Sequence, residues 1–322
     1  MYENLILETR WKEAIKARYV NSSLLLKSGV VDIDNNSVFK GGTIISDQAF
    51  FNALTTRMQQ AVKGTALNSE AYTMGHENMI CFSRYARKIF YAQDLRRIGI
   101  TENADSQQIL DKLDVILGMT TDYLGIELEI AIWNVLSGIF GALAATHVHT
   151  ATGAISLEDA ITAKGKLGQF RGNLTDFFCT PTLKDEATLK DLTKYALVQG
   201  AGDQIYKTGT IETIANLPIT ETLLMQAVPD DPVVSPYNSY MFSKNCIYFA
   251  PAWTNVASAY YPEIGGGQLN VVVGVDMAIH VPGVTYATAV GTDPSNAELA
   301  TSTTWSLVAP ALKVQMVKLI TQ

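Results

Sequence analysis

The sequence predicts an α+β protein, and three stretches carry that reading. A helical pattern runs from about Ser106 to Ala145, with Ile109, Leu113, Ile116 and Leu117 on one face, the spacing of an amphipathic helix. The end of the chain is instead rich in β-branched residues, chiefly over 269–275 and 313–320, which suit a pleated, half-buried surface. Before the helix lies a polar, modestly β-rich stretch, 64–91, that reads as a long hairpin with little core of its own.

Taken in order, residues 9–27 read as a mixed amphipathic helix or arm, anchored by Trp11, Ile15 and Leu24 to Leu26. Gly41-Gly42 punctuates the chain before a short strand at 43–45. The spacing of Phe50, Phe51, Leu54, Met58 and Val62 predicts a helix over 49–62. The hairpin that follows is centred on Gly75-His76-Glu77-Asn78. An isolated hairpin is marginal in water, so it needs something to lie on. Asp105 or Ser106 can cap the long helix. Its second half, Ile130 to Ala145, is apolar nearly all round, and no formal charge occurs between Glu129 and Glu158. That apolar run covers 16 residues, whereas a membrane span needs roughly 20. Its flanks are acidic and lack interfacial cations, so a helix buried on all sides is the preferred reading.

Farther on, Ser156 or Leu157 opens a helix through Gly168, with Glu158 and Asp159 in its first turn, where the helix dipole favours them. A strand at 174–179 precedes a helix from Pro181 to about Val198. Strands follow at 211–214 and 223–228, then a Pro229-Asp230-Asp231-Pro232 loop and strands at 245–249, 269–275 and 313–320. No repeat of the solenoid kind is present.

Composition narrows the function classes. Of 322 residues only 17% are charged and 48% are hydrophobic, against an average charged share of about 25%. Such a chain can bury a large core, which excludes intrinsic disorder. The net charge of −7 argues against a dedicated nucleic-acid binder, whose affinity rests on Lys and Arg. The N-terminus, with Glu3, Glu8 and Arg10, is not a secretory signal. Cys81, Cys179 and Cys246 lie far apart with no metal-ligand spacing, so buried reduced thiols are expected.

Charge is uneven. Residues 1–97 hold 13 Lys/Arg against 9 Asp/Glu, whereas 98–322 hold 11 against 22. The positive excess concentrates in Arg84, Arg87, Lys88, Arg96 and Arg97. Three readings stand: a nucleic-acid patch, a solvated strand face, or a basic arm lying on the acidic body of a neighbouring copy. The last fits best.

The sequence offers no convincing catalytic site. His147 and His149, two apart, would share one side of a strand, yet they lack a nearby third ligand. A small-molecule enzyme with a His147/His149 site is kept as an alternative from a different class. No GxSxG elbow, phosphate loop or GxGxxG is present. Glu127/Glu129, Asp185/Glu186 and Asp230/Asp231 read as solvated neighbours. No catalytic, cofactor-binding or metal residue is assigned. A large core, few charges, an arm and an unsupported hairpin together suggest an assembly subunit, because obligate interfaces resemble a core cut in half.

Several short motifs recur in an order that resembles one family. Gly41-Gly42 precedes an apolar strand and Phe50-Phe51. Ala92 to Leu95 stands ahead of the long helix, and Gly138-Ile-Phe-Gly141 lies near its end. Ala163 to Gly168 leads to the Phe177 strand and the Leu183 to Leu192 helix. Asp293 to Ala300 is followed by Trp305 to Val308 and Lys313 to Ile320. In that order the chain resembles tailed-bacteriophage major capsid proteins of the Hong Kong 97-like fold. The resemblance implies an N-terminal arm over 1–40, an extended E-loop over 41–91, and a peripheral domain with a spine helix over 92–149. It further implies an axial domain over 150–265 and a return to the peripheral domain over 266–322. It implies a virion shell protein, made in the host cytoplasm, that forms rings of five and six copies around packaged DNA without sequence-specific binding. It implies no membrane and no cofactor. The short N-terminus leads us to expect a separate scaffolding protein, and a portal is implied as well. An encapsulin-type nanocompartment shell is the alternative within the same fold. No lysine–asparagine pair matches cross-linking chemistry. The basic residues from Arg84 to Arg97 then become candidate subunit-interface residues.

Overall fold

The computed structural model describes residues 23–33, 46–51, 74–91, 93, 97, 106–190, 192, 194–197, 210–226, 237–261, 268–287 and 293–321. The arm before Ser23, the 43–45 strand and the Pro229–Pro232 loop lie outside these residues, as does Arg96.

The long helix is α2, Ser106–Ala142, after a short α1, Leu24–Lys27. Its later half sits between two sheets. The first sheet has strand order β1-β10-β11-β3-β2, from Val31–Ile33 (β1), Ser46–Phe51 (β2), Met74–Tyr91 (β3), Ile247–Tyr261 (β10) and Gln268–His280 (β11). Side chains alternate across it as a strand requires. Ile80, Phe82, Val273, Val275, Met277 and Ile279 face the main core with α2, whereas Met79, Cys81 and Ala278 lie on the other face.

The second sheet has seven strands. β4 is Val148–Thr150, β5 is Leu174–Cys179, β6 is Lys194–Leu197, β7 is Thr210–Ile214, β8 is Leu217–Glu221, β9 is Tyr237–Ser243 and β14 is Met316–Thr321. Their order is β4-β14-β9-β5-β8-β7-β6. Phe178, Tyr240, Phe242 and Met316 face α2. The alternate residues Phe177, Cys179, Met241, Val317 and Leu319 form a second core. That core is closed by two helices that follow the short α3 (Ala144–His147): α4, Leu157–Gly165, and α5, Pro181–Leu189. Trp133 on α2 anchors the centre, its ring 5.1 Å from Tyr240 and 5.8 Å from Phe178. All three cysteines are buried, and none is in a disulfide. Leu124–Ala142 is apolar and long enough to cross a membrane by length and composition. Most of its side chains are nevertheless packed in this core, Leu124, Leu128, Ile132, Trp133, Leu136 and Phe140 among them, whereas Ile126 and Ala142 are exposed.

Glu129 corrects the sequence reading of a solvated acid pair, because its side chain is fully buried. Its Oε2 accepts from the Ser23 hydroxyl at 2.7 Å and the Leu24 N–H at 2.9 Å. Its Oε1 accepts from the Trp133 indole at 3.2 Å and more distantly from Thr222 at 3.5 Å. One carboxyl group therefore ties α1, α2 and the segment after β8 together.

The Gly138 and Gly141 motif has a steric cause. The chain returns through β12 (Val284–Tyr286), α6 (Asn296–Ala300) and β13 (Trp305–Leu307), and α6 with the following turn lies directly on α2. A Cβ at Gly138 would sit 2.3 Å from the Leu299 carbonyl and 2.6 Å from Trp305 Nε1, and one at Gly141 2.7 Å from the Ser302 Cβ. The Trp305 indole donates to that same carbonyl at 2.9 Å, so neither side can yield without breaking a buried hydrogen bond. Gly138→Ala is expected to destabilise by about 1–3 kcal/mol despite its better helix propensity. A urea midpoint equal to that of the parent would refute this.

Other corrections concern β elements. The 49–62 helix is not formed at its start: 46–51 is β2, paired antiparallel with Met74–Met79, and 52–62 lies outside the described residues. Gly75 to Asn78 is no turn but the straight beginning of the 18-residue β3. The helix from Pro181 stops at Leu189, and Lys194–Leu197 pairs with β7. The strand placed at 223–228 is a 3-10 turn over Leu224–Gln226, and the strand is Leu217–Glu221. Between β7 and β8, Ala215 and Asn216 both take positive φ, 50° and 63°, the demand of a tight two-residue hairpin. Asn tolerates it, whereas Ala crowds its Cβ. Ala215→Gly is expected to stabilise by roughly 0.5–1 kcal/mol, read as a higher thermal midpoint. A lower one would contradict the strain.

Candidate assembly surface

The basic candidates lie on and just after β3, and strand alternation divides them. Arg84 faces α6: its guanidinium donates to the Pro294 carbonyl and to Asn296 Oδ1, both at 2.9 Å, and stacks 4.6 Å from the Phe82 ring. Burial pulls its pKa below the ordinary arginine value, against the opposing fields of Asp293 and Glu127. Arg84 thus clamps β3 to the start of α6. Arg87, Lys88 and Arg97 are exposed, and Arg96 lies outside the described residues. Arg84 and Arg87 therefore lie on opposite faces of β3.

The opposite face of β3 presents Tyr85, Arg87, Ile89 and Tyr91, every second residue. Tyr85, Ile89 and Tyr91 are 56%, 42% and 51% exposed. Tyr85 lies across Gly274, its registered partner on β11. Its hydroxyl donates to Asp276 Oδ1 at 3.2 Å, which also accepts from Ser83 at 2.5 Å. Burial, and next the Asp276 charge, raise the Tyr85 pKa. Beside Ile89 and Tyr91, the registered Asn270 and Gln268 are buried and bonded to each other at 2.7 Å. The result is a paired ribbon face with two aromatic rings, an aliphatic side chain and a cation. The sequence reading, led by the run of charges, missed this stripe. Its signal was the period-two placing of Tyr85, Ile89 and Tyr91.

The histidines serve different contacts. His147 ends α3, buried, and is not part of the strand. Its Nε2 faces the Val314 carbonyl at 3.0 Å, which can only accept, so Nε2 carries the proton and Nδ1 accepts from Thr146 at 2.8 Å. Burial lowers its pKa. His149 is in β4 and pairs with Asp159 at 3.0 Å, at the start of α4. The Ser156 hydroxyl also bonds Asp159, and that bond, with His149 next, holds the Asp159 carboxyl below its usual range. Among the described residues no three His, Cys, Asp or Glu side chains are grouped to hold a metal.

No family model and no curated protein matches the sequence. The fold is shared with a solved chain from Mycobacterium phage Cain, with a TM-score of 0.50 and 10% identity over 88% of this chain and 89% of that one. A capsid structure of the cyanophage P-SCSP1u is similar with a TM-score of 0.48 and 10% identity, over 91% of this chain and 86% of that one. The SrpI encapsulin of Synechococcus elongatus PCC 7942 is similar with a TM-score of 0.45 and 11% identity, over 77% and 76%. The α+β class expected from the sequence is the class of the structure.

Proposed function

We propose that the chain is the major capsid protein of a tailed phage, a structural subunit that assembles through rings of five and six into an icosahedral shell around the genome. The observation that carries this reading is the outer face of β3, an extended strand paired with β11, whose Tyr85, Arg87, Ile89 and Tyr91 are exposed. Such a ribbon gains stability when laid across another copy, and apolar burial at about 25 cal/mol per Å² supplies most of the adhesion. Exposed charge pairs, worth about 0–1 kcal/mol each, mainly set register. The shared fold of the phage Cain chain supports the reading, as does the sequence order that resembles Hong Kong 97-like capsid proteins. In this reading α2 and the five-stranded sheet form the peripheral domain and the seven-stranded sheet with α4 and α5 the axial one, which moves β10 out of the 150–265 axial segment expected from the sequence and β14 out of the 266–322 return. No chemistry is assigned to His147 or His149. A scaffolding protein, a portal and packaged DNA are the partners, and the virion is the location.

The test changes two exposed residues of this face together, Ile89→Glu and Tyr91→Glu. We expect a folded subunit that no longer forms shells, seen by circular dichroism and sedimentation. Normal shells from this variant would refute the proposed role of the ribbon.

A further inference from the structure

Beside the second core runs an open groove of about 440 Å³, lined by Leu157, Ile161 and Leu192, by Lys164 and Arg171, and by the turn at Ala215 and Asn216. Its character is mixed: aliphatic side chains with two cations, and no acidic side chain among the described residues that line it. Ile161 and Leu157 are 53% and 36% exposed there, so two aliphatic side chains line the groove open to solvent. Lys164 is half-buried and donates to the Ala215 carbonyl at 2.9 Å, which leaves two of its three N–H groups for a ligand. Burial lowers its pKa and the nearby Arg171 lowers it further, so two like charges share the groove and an arriving anion relieves both.

The ligand these features select is a short peptide with adjacent acids between aliphatic residues. Outside the described residues the chain carries one adjacent acid pair, in the segment 228–234, Val-Pro-Asp-Asp-Pro-Val-Val. Asp230 and Asp231 match Lys164 and Arg171, and Val228, Val233 and Val234 match Leu157, Ile161 and Leu192. The two prolines reduce the conformational freedom that binding would remove. We propose that this groove receives the 228–234 segment of a neighbouring copy. Groove and segment are different patches, so the contact is heterologous, and repetition of a heterologous contact closes into rings when the rotation allows. The inference rests on the ring-forming reading above and names a contact that would build the ring.

The test uses the full-length unassembled chain and a fluorescein-labelled peptide of residues 227–236, followed by fluorescence anisotropy. We expect saturable binding with a Kd below about 1 mM. Arg171→Glu, an exposed change, is expected to weaken binding at least ~10-fold, and a peptide with both aspartates changed to lysine should regain affinity for that variant. Absence of binding, equal binding to both proteins, or displacement by a single-stranded oligonucleotide but not by unlabelled peptide would overturn the proposal. Because peptide binding is read on single subunits, it stands or falls separately from shell formation. Peptide binding by a chain that never assembles would support the groove while removing the shell reading.

Discussion

Glu129→Ala is expected to destabilise the protein by roughly 3 kcal/mol or more. The side chain is fully buried, and both oxygens act only as acceptors, for Ser23, Leu24, Trp133 and Thr222. Truncation leaves these donors without a partner, and each unpaired buried donor costs about 1–3 kcal/mol unless water or a rotation restores it. Glu129→Gln keeps the shape and one acceptor oxygen but turns an NH₂ toward a donor, so a smaller loss of about 1–2 kcal/mol is expected. Denaturant midpoints with an unchanged slope would read this directly. The effect extends beyond stability, since α1 and β1 are held to the body partly by this group. Val31, Asp32 and Ile33 pair with Ile247 to Phe249 over only three residues. Their amides should exchange faster in Glu129→Ala than in the parent. Parent-like stability and exchange would show that Glu129 is not the tie between these segments.

Lys318→Met is expected to stabilise the protein at pH 7 by about 2 kcal/mol. Lys318 lies in the middle of β14, between Val148 and Tyr240, on the side that faces the core. Its ammonium is 5.6 Å from the Tyr240 ring, and burial lowers its pKa from 10.5 to about 8. A shift of that size corresponds to about 3 kcal/mol of penalty for the charged form, partly offset by about 1 kcal/mol of cation–π attraction. The folded protein holds the proton less tightly than the unfolded chain. The penalty is therefore complete below pH 8 and disappears as pH rises through about 10.5, so stability due to Lys318 increases across that window. Cys246, pushed up to about 12 by burial, and Tyr240, also raised by burial, act the other way above their ordinary ranges. They are common to both proteins, so the difference between parent and Lys318→Met isolates the lysine. That difference should be largest at pH 7 and shrink toward pH 10. A constant difference would mean that the ammonium is not desolvated.

The long helix was legible because its information is local. Periodicity gave the first half and the absence of charge after Glu129 gave burial in the second. The Gly138 and Gly141 motif was visible, but its reason, the Leu299 carbonyl and Trp305 pressing on α2, comes from residues more than 150 positions away. The misread strands share a cause. Phe50, Phe51 and Leu54 fit a helical stripe, yet 46–51 is claimed by pairing with β3. Lys194–Leu197 has no local strand signal and is drawn into the sheet by β7. Pro218 sits at the second position of β8, before the Ile219 to Glu221 ladder with β5 begins, a place where proline is tolerated. The basic run from Arg84 to Lys88 was visible as charge. Its division between an inward clamp and an outward face depends on which side of β3 meets α6.

Negative-stain electron microscopy of the purified full-length protein, alone and co-expressed with its neighbouring genes, tests the central claim most directly. Closed shells, or tubes built of rings, are the expected result, with nucleic acid inside a phage capsid and protein cargo inside a nanocompartment. A discrete monomer or dimer under every condition would contradict the account.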